Sequence, residues 1–409
     1  MKIDAPTSPL LTDLTTALQA APRTASFPLG LLLTGFLGAF TCGSADALQV
    51  SEPFNQSLAA PSPAPLARFG TSVAVTGPTA VVGAPGDAAA GPDAGVVHVF
   101  LRDDASGAYE LAQAIRPPGL SPFDRFGGAV AVGGNLLVIG AKGDDEAAPN
   151  AGAAYIYRRF GLDNPFMLVG KLLPPSGGVN DCFGVSVAAL GNRFAVGAPR
   201  ADVTAFDAGA LYTYTFDFAA NQFFPAGEVL DPDGSAGDGF GSSVAIAPGV
   251  LCVGATRLDA PTGLQNTGGV IVYEDFGVNG QVSWSKVQTI QPAGLTAFAE
   301  FGATIAMEPP RIGVSGTLIV GAPELENPVT GTSKGAAYVY ESGLPLIWSE
   351  AFSYGIHEPG SGNRLGSAVA IDGNVALVGA PGSVPVDSMD DNVGHVDLLR
   401  RDAGGSWSQ

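Results

Sequence analysis

Apolar positions in this chain come in short runs of small and β-branched residues, separated by Gly, Pro, Asn and Asp. Val73-Ala74-Val75, Leu136-Leu137-Val138-Ile139 and Leu318-Ile319-Val320 are too short for helices and suit a pleated surface, so they predict strands. From residue 69 onward no long helical spacing interrupts them. The runs belong to one phrase written six times, an apolar-Gly pair followed by strand residues and a Gly-Ala-Pro-like corner. It reads Phe69-Gly70 to Gly83-Ala84-Pro85, Phe126-Gly127 to Gly140-Ala141-Lys142, and Phe183-Gly184 to Gly197-Ala198-Pro199. It returns as Phe240-Gly241 to Gly254-Ala255-Thr256, Phe301-Gly302 to Gly321-Ala322-Pro323, and Leu365-Gly366 to Gly379-Ala380-Pro381. The pairs lie 57, 57, 57, 61 and 64 residues apart, a period in which each unit buries its apolar faces against its neighbours.

Each unit reads as four strands. In the first, Arg68 to Val75 leads through Thr76-Gly77-Pro78 into Thr79 to Val82, and a polar loop, Gly86 to Ala94, precedes Gly95 to Leu101. Asp103 to Gly107 then turns the chain into Tyr109 to Ile115. Gly133-Gly134-Asn135 and Asp372-Gly373-Asn374 are hairpin signals at the first turn of other units. The third strand carries aromatics two apart, as in Tyr155 and Tyr157, hence on one face, where they are expected to pack between sheets. Six such sheets predict an all-β, six-bladed β-propeller of four-stranded antiparallel blades. The sixth unit stops at Ser406-Trp407-Ser408-Gln409, where its fourth strand is only starting. Glu52 to Pro61 resembles a fourth strand, so an N-terminal strand is expected to close the ring and remove a sheet edge.

Residues 1–47 differ from the rest. Phe27 to Phe40 is apolar and Ala45-Asp46-Ala47 resembles a cleavage site, which predicts a signal peptide or a disordered leader ahead of a propeller spanning 48–409. The mature chain would then be secreted or held at the cell surface, with no membrane span. It would keep two cysteines, Cys182 and Cys252, with Cys252 at a strand position held by Val81 and Val138 in other units. The formal charge of −19 repels nucleic acid and anionic membranes, which excludes both as expected partners.

These phrases resemble the FG-GAP repeats of the integrin α-subunit head and of bacterial integrin-α-like propellers. The resemblance covers residues 69–409 and implies a β-propeller with a role in extracellular recognition. The integrin head has seven blades, which keeps a seven-bladed ring as the alternative. Integrin-like repeats often carry a calcium loop in the first hairpin. The corresponding turns here, such as Thr76-Gly77-Pro78 and Leu190-Gly191-Asn192, hold at most one acid and are too short to wrap an ion. The resemblance is therefore to a bacterial type without calcium loops, and no cofactor is expected. Asp231, Asp233 and Asp238 form the segment nearest in character to a calcium loop and are the weak metal candidates.

Strand order places the second-to-third-strand loops and the blade-to-blade linkers on one face. That face collects Asp87, Asp93, Asp144, Asp145, Glu146, Asp202, Asp207, Asp259, Glu324, Glu326, Asp387, Asp390 and Asp391. With Asp124, Asp181, Asp231, Asp233, Asp238, Glu300 and Glu358 it holds 20 of the 38 acids, against Arg68, Arg125, Lys142, Arg200, Arg257, Lys334 and Arg364. The expectation is a strongly acidic face, the side on which integrin-like propellers bind partners by the same resemblance. The partner would be an extracellular protein or glycan, basic or cation-bridged.

Catalytic patterns are missing from the sequence. There is no Gly-x-Ser-x-Gly elbow, and His98 takes the strand place of Tyr155 and Tyr212. The leading reading is a secreted or cell-surface, non-catalytic binding module. One alternative is a glycan-active hydrolase using channel carboxylates. Another is a structural subunit of an envelope assembly.

Overall fold

The computed structural model describes residues 56, 58–60, 64, 66–162, 164–175, 177–277, 282–309, 315–326, 333–343, 347–355, 363–382, 394–402 and 404–409. The leader 1–47 and the acids Asp387, Asp390, Asp391 and Glu358 lie outside the described residues, as does most of Glu52 to Pro61. Six four-stranded sheets form a six-bladed β-propeller. The first blade holds β1 (Ser72–Thr76), β2 (Thr79–Ala84), β3 (Val96–Arg102) and β4 (Tyr109–Ile115), each antiparallel to the one before. The other blades span 129–172, 186–229, 240–290, 304–355 and 368–408 in the same order. From blade 1 to blade 6 the first strands neighbour one another, so they line the axial channel.

The repeated phrase is explained where blades meet. In blades 2 to 5 the Phe that opens the first strand wedges between its own blade and the preceding one, and Leu365 does so in blade 6. Phe126, fully buried, packs with Val81, Val97, Val99 and Ile115 of blade 1 and with Tyr155 and Tyr157 of blade 2. Its ring stands edge-on to Tyr155 at 5.2 Å, and Phe301 meets Tyr338 in the same way at 5.3 Å. The aromatic stripe of the third strands is thus inter-blade packing, and His98 shares that role, edge-on to Phe69 at 5.5 Å. Cys252 is fully buried in such an interface and, like Cys182, is a free thiol.

A second device repeats at the outer strands. Gln113 clamps the backbone of Phe166 in the next blade, donating to its carbonyl at 2.9 Å and accepting from its N–H at 2.8 Å. Gln288 clamps Trp348 likewise, at 2.8 and 2.9 Å. Gln56 makes the same pair of bonds to Tyr109, at 2.7 and 2.5 Å, although it precedes the first blade. Leu58, two residues on, is buried against Phe69, Ala80 and Val82, in the place that Ile115 takes against blade 2. At the other end, Trp407–Ser408 pairs with Arg401 and Arg400 as a two-residue start of the sixth blade's fourth strand. Gln56 and Leu58 therefore make on blade 1 the contacts that Gln113 and Ile115, of a fourth strand, make on blade 2.

One regularity escaped the sequence reading. The third and fourth strands of blades 1 to 5 share a register shift at one place, between Val99 and Phe100 and again between Ile156 and Tyr157. A single extra residue in the outer strand increases its twist. The extra residues are Ala112, Val169, Ala226, Val287 and Ala351, small apolar letters that an unbulged strand carries equally well.

Candidate functional site

The loop face is built by a fixed set of backbone bonds. After blade 1 the linker is stitched to the second-to-third-strand loop. Phe123 N–H donates to the Pro92 carbonyl (2.8 Å), Arg125 to Asp93 (2.9 Å) and Phe126 to Ala94 (2.9 Å). The bond from Gly143 N–H to the Asp124 carbonyl then joins the linker to the next blade's corner. Asn180, Gly237 and Phe298 repeat the first of these bonds, to Pro149, Phe206 and Gln265.

Every described acid of the predicted face lies on these loops, but many are spent on them. Asp124 and Asp238 accept the N–H groups of Ser121 (2.7 Å) and Ser235 (2.6 Å), as side-chain caps of the linker turns. Asp181 caps Gly178 in the same way at 2.8 Å. Asp145, Asp202 and Asp259 cap Asn150, Asp207 and Asn266 across their own loops. Asp87 pairs with Arg116 (3.1 Å), and Glu324 with Arg364 (2.6 Å). Lys171 stands between Asp144 (2.6 Å) and Glu146 (2.7 Å). Asp93 and Asp207 are half-buried and hold a left-handed backbone, with φ of 50° each, while Glu326 is exposed. Burial holds the Asp124 carboxyl up at about 6 against the pull of its cap. Asp238 is raised for the same reason.

The metal candidates do converge, but on a cation of the chain itself. Lys286, from the fourth strand of blade 4, puts its ammonium 2.6 Å from Asp231 and 2.9 Å from Asp233, while Asp238 turns to its cap. Burial works against the Lys286 charge, but the two hydrogen bonds outweigh it and raise its pKa. Among the described residues no group of three His, Cys, Asp or Glu side chains could hold a metal ion.

Around the channel mouth the same face turns basic. The residue before each Phe-Gly pair and the corner after each second strand stand there, and they supply Arg68, Arg125, Lys142, Arg200, Arg257 and Arg364. Glu300 and Glu324 are the acids of this ring. Glu300 is pushed up by burial and then by Glu324.

Sequence reasoning missed a set of exposed apolar side chains. Leu66, Phe123 and Phe298 take the same place, three residues before the Phe of each Phe-Gly pair, and are 80%, 56% and 62% exposed. All three hold a left-handed backbone, with φ of 67°, 70° and 61°. Phe206, 71% exposed, lies across the same stitch in blade 3. A left-handed conformation costs a side-chain-bearing residue about 1–2 kcal/mol. Asn180 and Gly237 occupy this place in two other linkers, as the conformation favours. A bulky apolar letter at a Gly or Asn position was the signal available.

The FG-GAP repeat family matches this chain four times, at residues 54–100, 110–157, 166–214 and 227–273, and these stretches are FG-GAP repeats. The first match starts at 54, ahead of the first blade, while the others start in or next to a fourth strand. No curated protein matches the chain in sequence. Among solved structures it resembles a protein of Bacteroides uniformis provisionally named 6-phosphogluconolactonase. The TM-score is 0.51 at 10% identity, covering 83% of each chain. A protein of Bacteroides fragilis with the same provisional name gives a TM-score of 0.51 at 10% identity, over 83% of this chain and 82% of its own. Likeness at that identity is likeness of fold alone.

Proposed function

We propose that this FG-GAP propeller is a secreted or cell-surface binding module without catalysis of its own, recognising a protein or glycan across its loop face. The observation that supports this reading is the placing of Leu66, Phe123, Phe206 and Phe298. A fold that spends conformational energy to keep bulky apolar side chains in water has them for contact. Asp145, Glu146, Asp202, Asp259 and Glu326 surround them as exposed acids, which suits a basic or cation-bridged partner. The test is a pull-down from the native organism's envelope and medium, at low and high salt, with and without a chelator. The wild-type chain is compared with Phe123→Ser/Phe298→Ser. The partner should be retained by the wild type and lost by the variant at unchanged thermal stability. Retention by both would end the reading. Retention by the wild type at every salt and chelator condition would remove the acids from it.

One observation favours a hydrolase as the second reading. Glu300 and Glu324 share the channel mouth, and Glu300 is raised as a general acid requires. Release of reducing sugar from a panel of polysaccharides, abolished in Glu300→Gln, would support it. A wild-type chain inert on the whole panel would sink it.

A further inference from the structure

The channel mouth carries a charge opposite to that of the protein. Six of the chain's 19 Lys and Arg residues stand on its ring. The ring is not uniform. At blade 5 it is neutralised, because Glu324 binds Arg364 at 2.6 Å and Glu300 lies within reach of both Arg364 and Arg257. On the other side, across blades 1 to 3, Arg68, Arg125, Lys142 and Arg200 form an arc in which none is ion-paired among the described residues. The nearby carboxylates are engaged elsewhere: Asp124 and Asp181 cap linker turns, and Asp144 is held by Lys171 and Tyr155.

We propose that this arc is a binding site for a small polyvalent oxyanion, with Arg68, Arg125, Lys142 and Arg200 as its donors. Three features support it. The backbone fixes the arc, since Arg68 and Arg125 hold left-handed conformations with φ of 53° and 56°, and the Arg200 N–H is tied to the Asp181 carbonyl. The Nε–H of Arg125 is buried and finds no hydrogen-bond partner among the described residues. An unmet guanidinium donor in such a place is costly and is satisfied by an anion. Lys142 is half-buried, and its ammonium is disfavoured first by burial and then by Arg125, with Arg200 and Arg68 adding to the repulsion. Four cations crowded round one opening repel one another until an anion stands between them. This site is separate from the apolar surface above, and either can exist without the other.

The experiment is thermal unfolding and isothermal titration of the full chain with inorganic phosphate and with citrate, at constant ionic strength made up with sodium chloride. The variant is Lys142→Met/Arg200→Gln. Phosphate or citrate at ten times its dissociation constant should stabilise the wild type by RT ln 11, a factor of about 11 in the folding equilibrium. The variant should lose at least tenfold in affinity. In chloride alone it should melt no lower than the wild type, because it relieves repulsion. A response to phosphate alone identifies a tetrahedral oxyanion as the ligand class, and a response to citrate alone a polycarboxylate. No saturable response to either, or one retained in full by the variant, overturns the proposal.

Discussion

Gly83, at the corner of the first blade, lies against Gly127, in the Phe-Gly pair of the second, so closely that a Cβ on Gly83 would fall 2.0 Å from the Gly127 carbonyl oxygen. The pairs Gly140–Gly184, Gly197–Gly241, Gly254–Gly302 and Gly321–Gly366 repeat the contact. The two halves of the recurring phrase thus touch each other in space, across a blade boundary. In four of these junctions a hydroxyl spans the same gap, as from Ser72 to the Gly127 carbonyl at 2.7 Å.

Gly83→Ala should therefore force two inner strands apart and cost about 3 kcal/mol or more. Gly77→Ala is the control, since its Cβ would meet open space and only the left-handed φ of 53° opposes it, at about 1 kcal/mol. Denaturant midpoints of the two variants check the order, and equal losses would show that the inter-blade contact carries no energy.

The N-terminal segment is held by the Gln56 clamp on Tyr109. Gln56→Ala removes two hydrogen bonds, worth about 1–2 kcal/mol together. Because Gln56 lies outside the described strands, the loss should appear locally, as faster protease cleavage ahead of Leu58. Gln113→Ala, inside a continuous blade, should lower global stability by a similar amount without opening a cleavage site.

Asp124 gives the fold a pH dependence with a definite sign. Its carboxyl is lifted by burial from 3.8 to about 6. Below the lower value both states are protonated and its contribution is full. As pH rises through this window the unfolded chain releases the proton first, so stability falls. Asn363 stands at the same place in blade 6 and is buried. Asp124→Asn keeps a side-chain oxygen to accept the Ser121 N–H and should match the wild type at pH 4. At pH 7.5 it should be the more stable by no more than about 1 kcal/mol. Unfolding curves at the two pH values decide it, and a pH-independent difference would refute the assignment.

Lys286 supplies inside blade 4 the charge that a metal would have supplied. Lys286→Met should cost about 2 kcal/mol, because Asp231 stays buried without its partner. Millimolar calcium should then raise the variant's melting temperature more than that of the wild type. Equal responses would mean that Asp231 and Asp233 separate once the ammonium is gone.

The sequence alone determined the number of blades, the strands within each and the packing role of the aromatics. These follow from period and alternation, which depend on local geometry and on apolar burial at fixed spacing. The sequence also marked Gln56 and Leu58 as fourth-strand-like, and both make fourth-strand contacts on blade 1. Charge was legible only as a sum over a face. Where each charge ends up depends on the partner that folding brings to it from tens of residues away. Lys286 reaches Asp231, Lys171 reaches Asp144 and Arg116 reaches Asp87. Only the tertiary structure could show that much of the acid-rich face serves its own loops, while its centre gathers unpaired bases and its linkers present Phe123 and Phe298 to solvent. Side-chain direction and burial on a loop are set by contacts across blades, and no local run of residues encodes them.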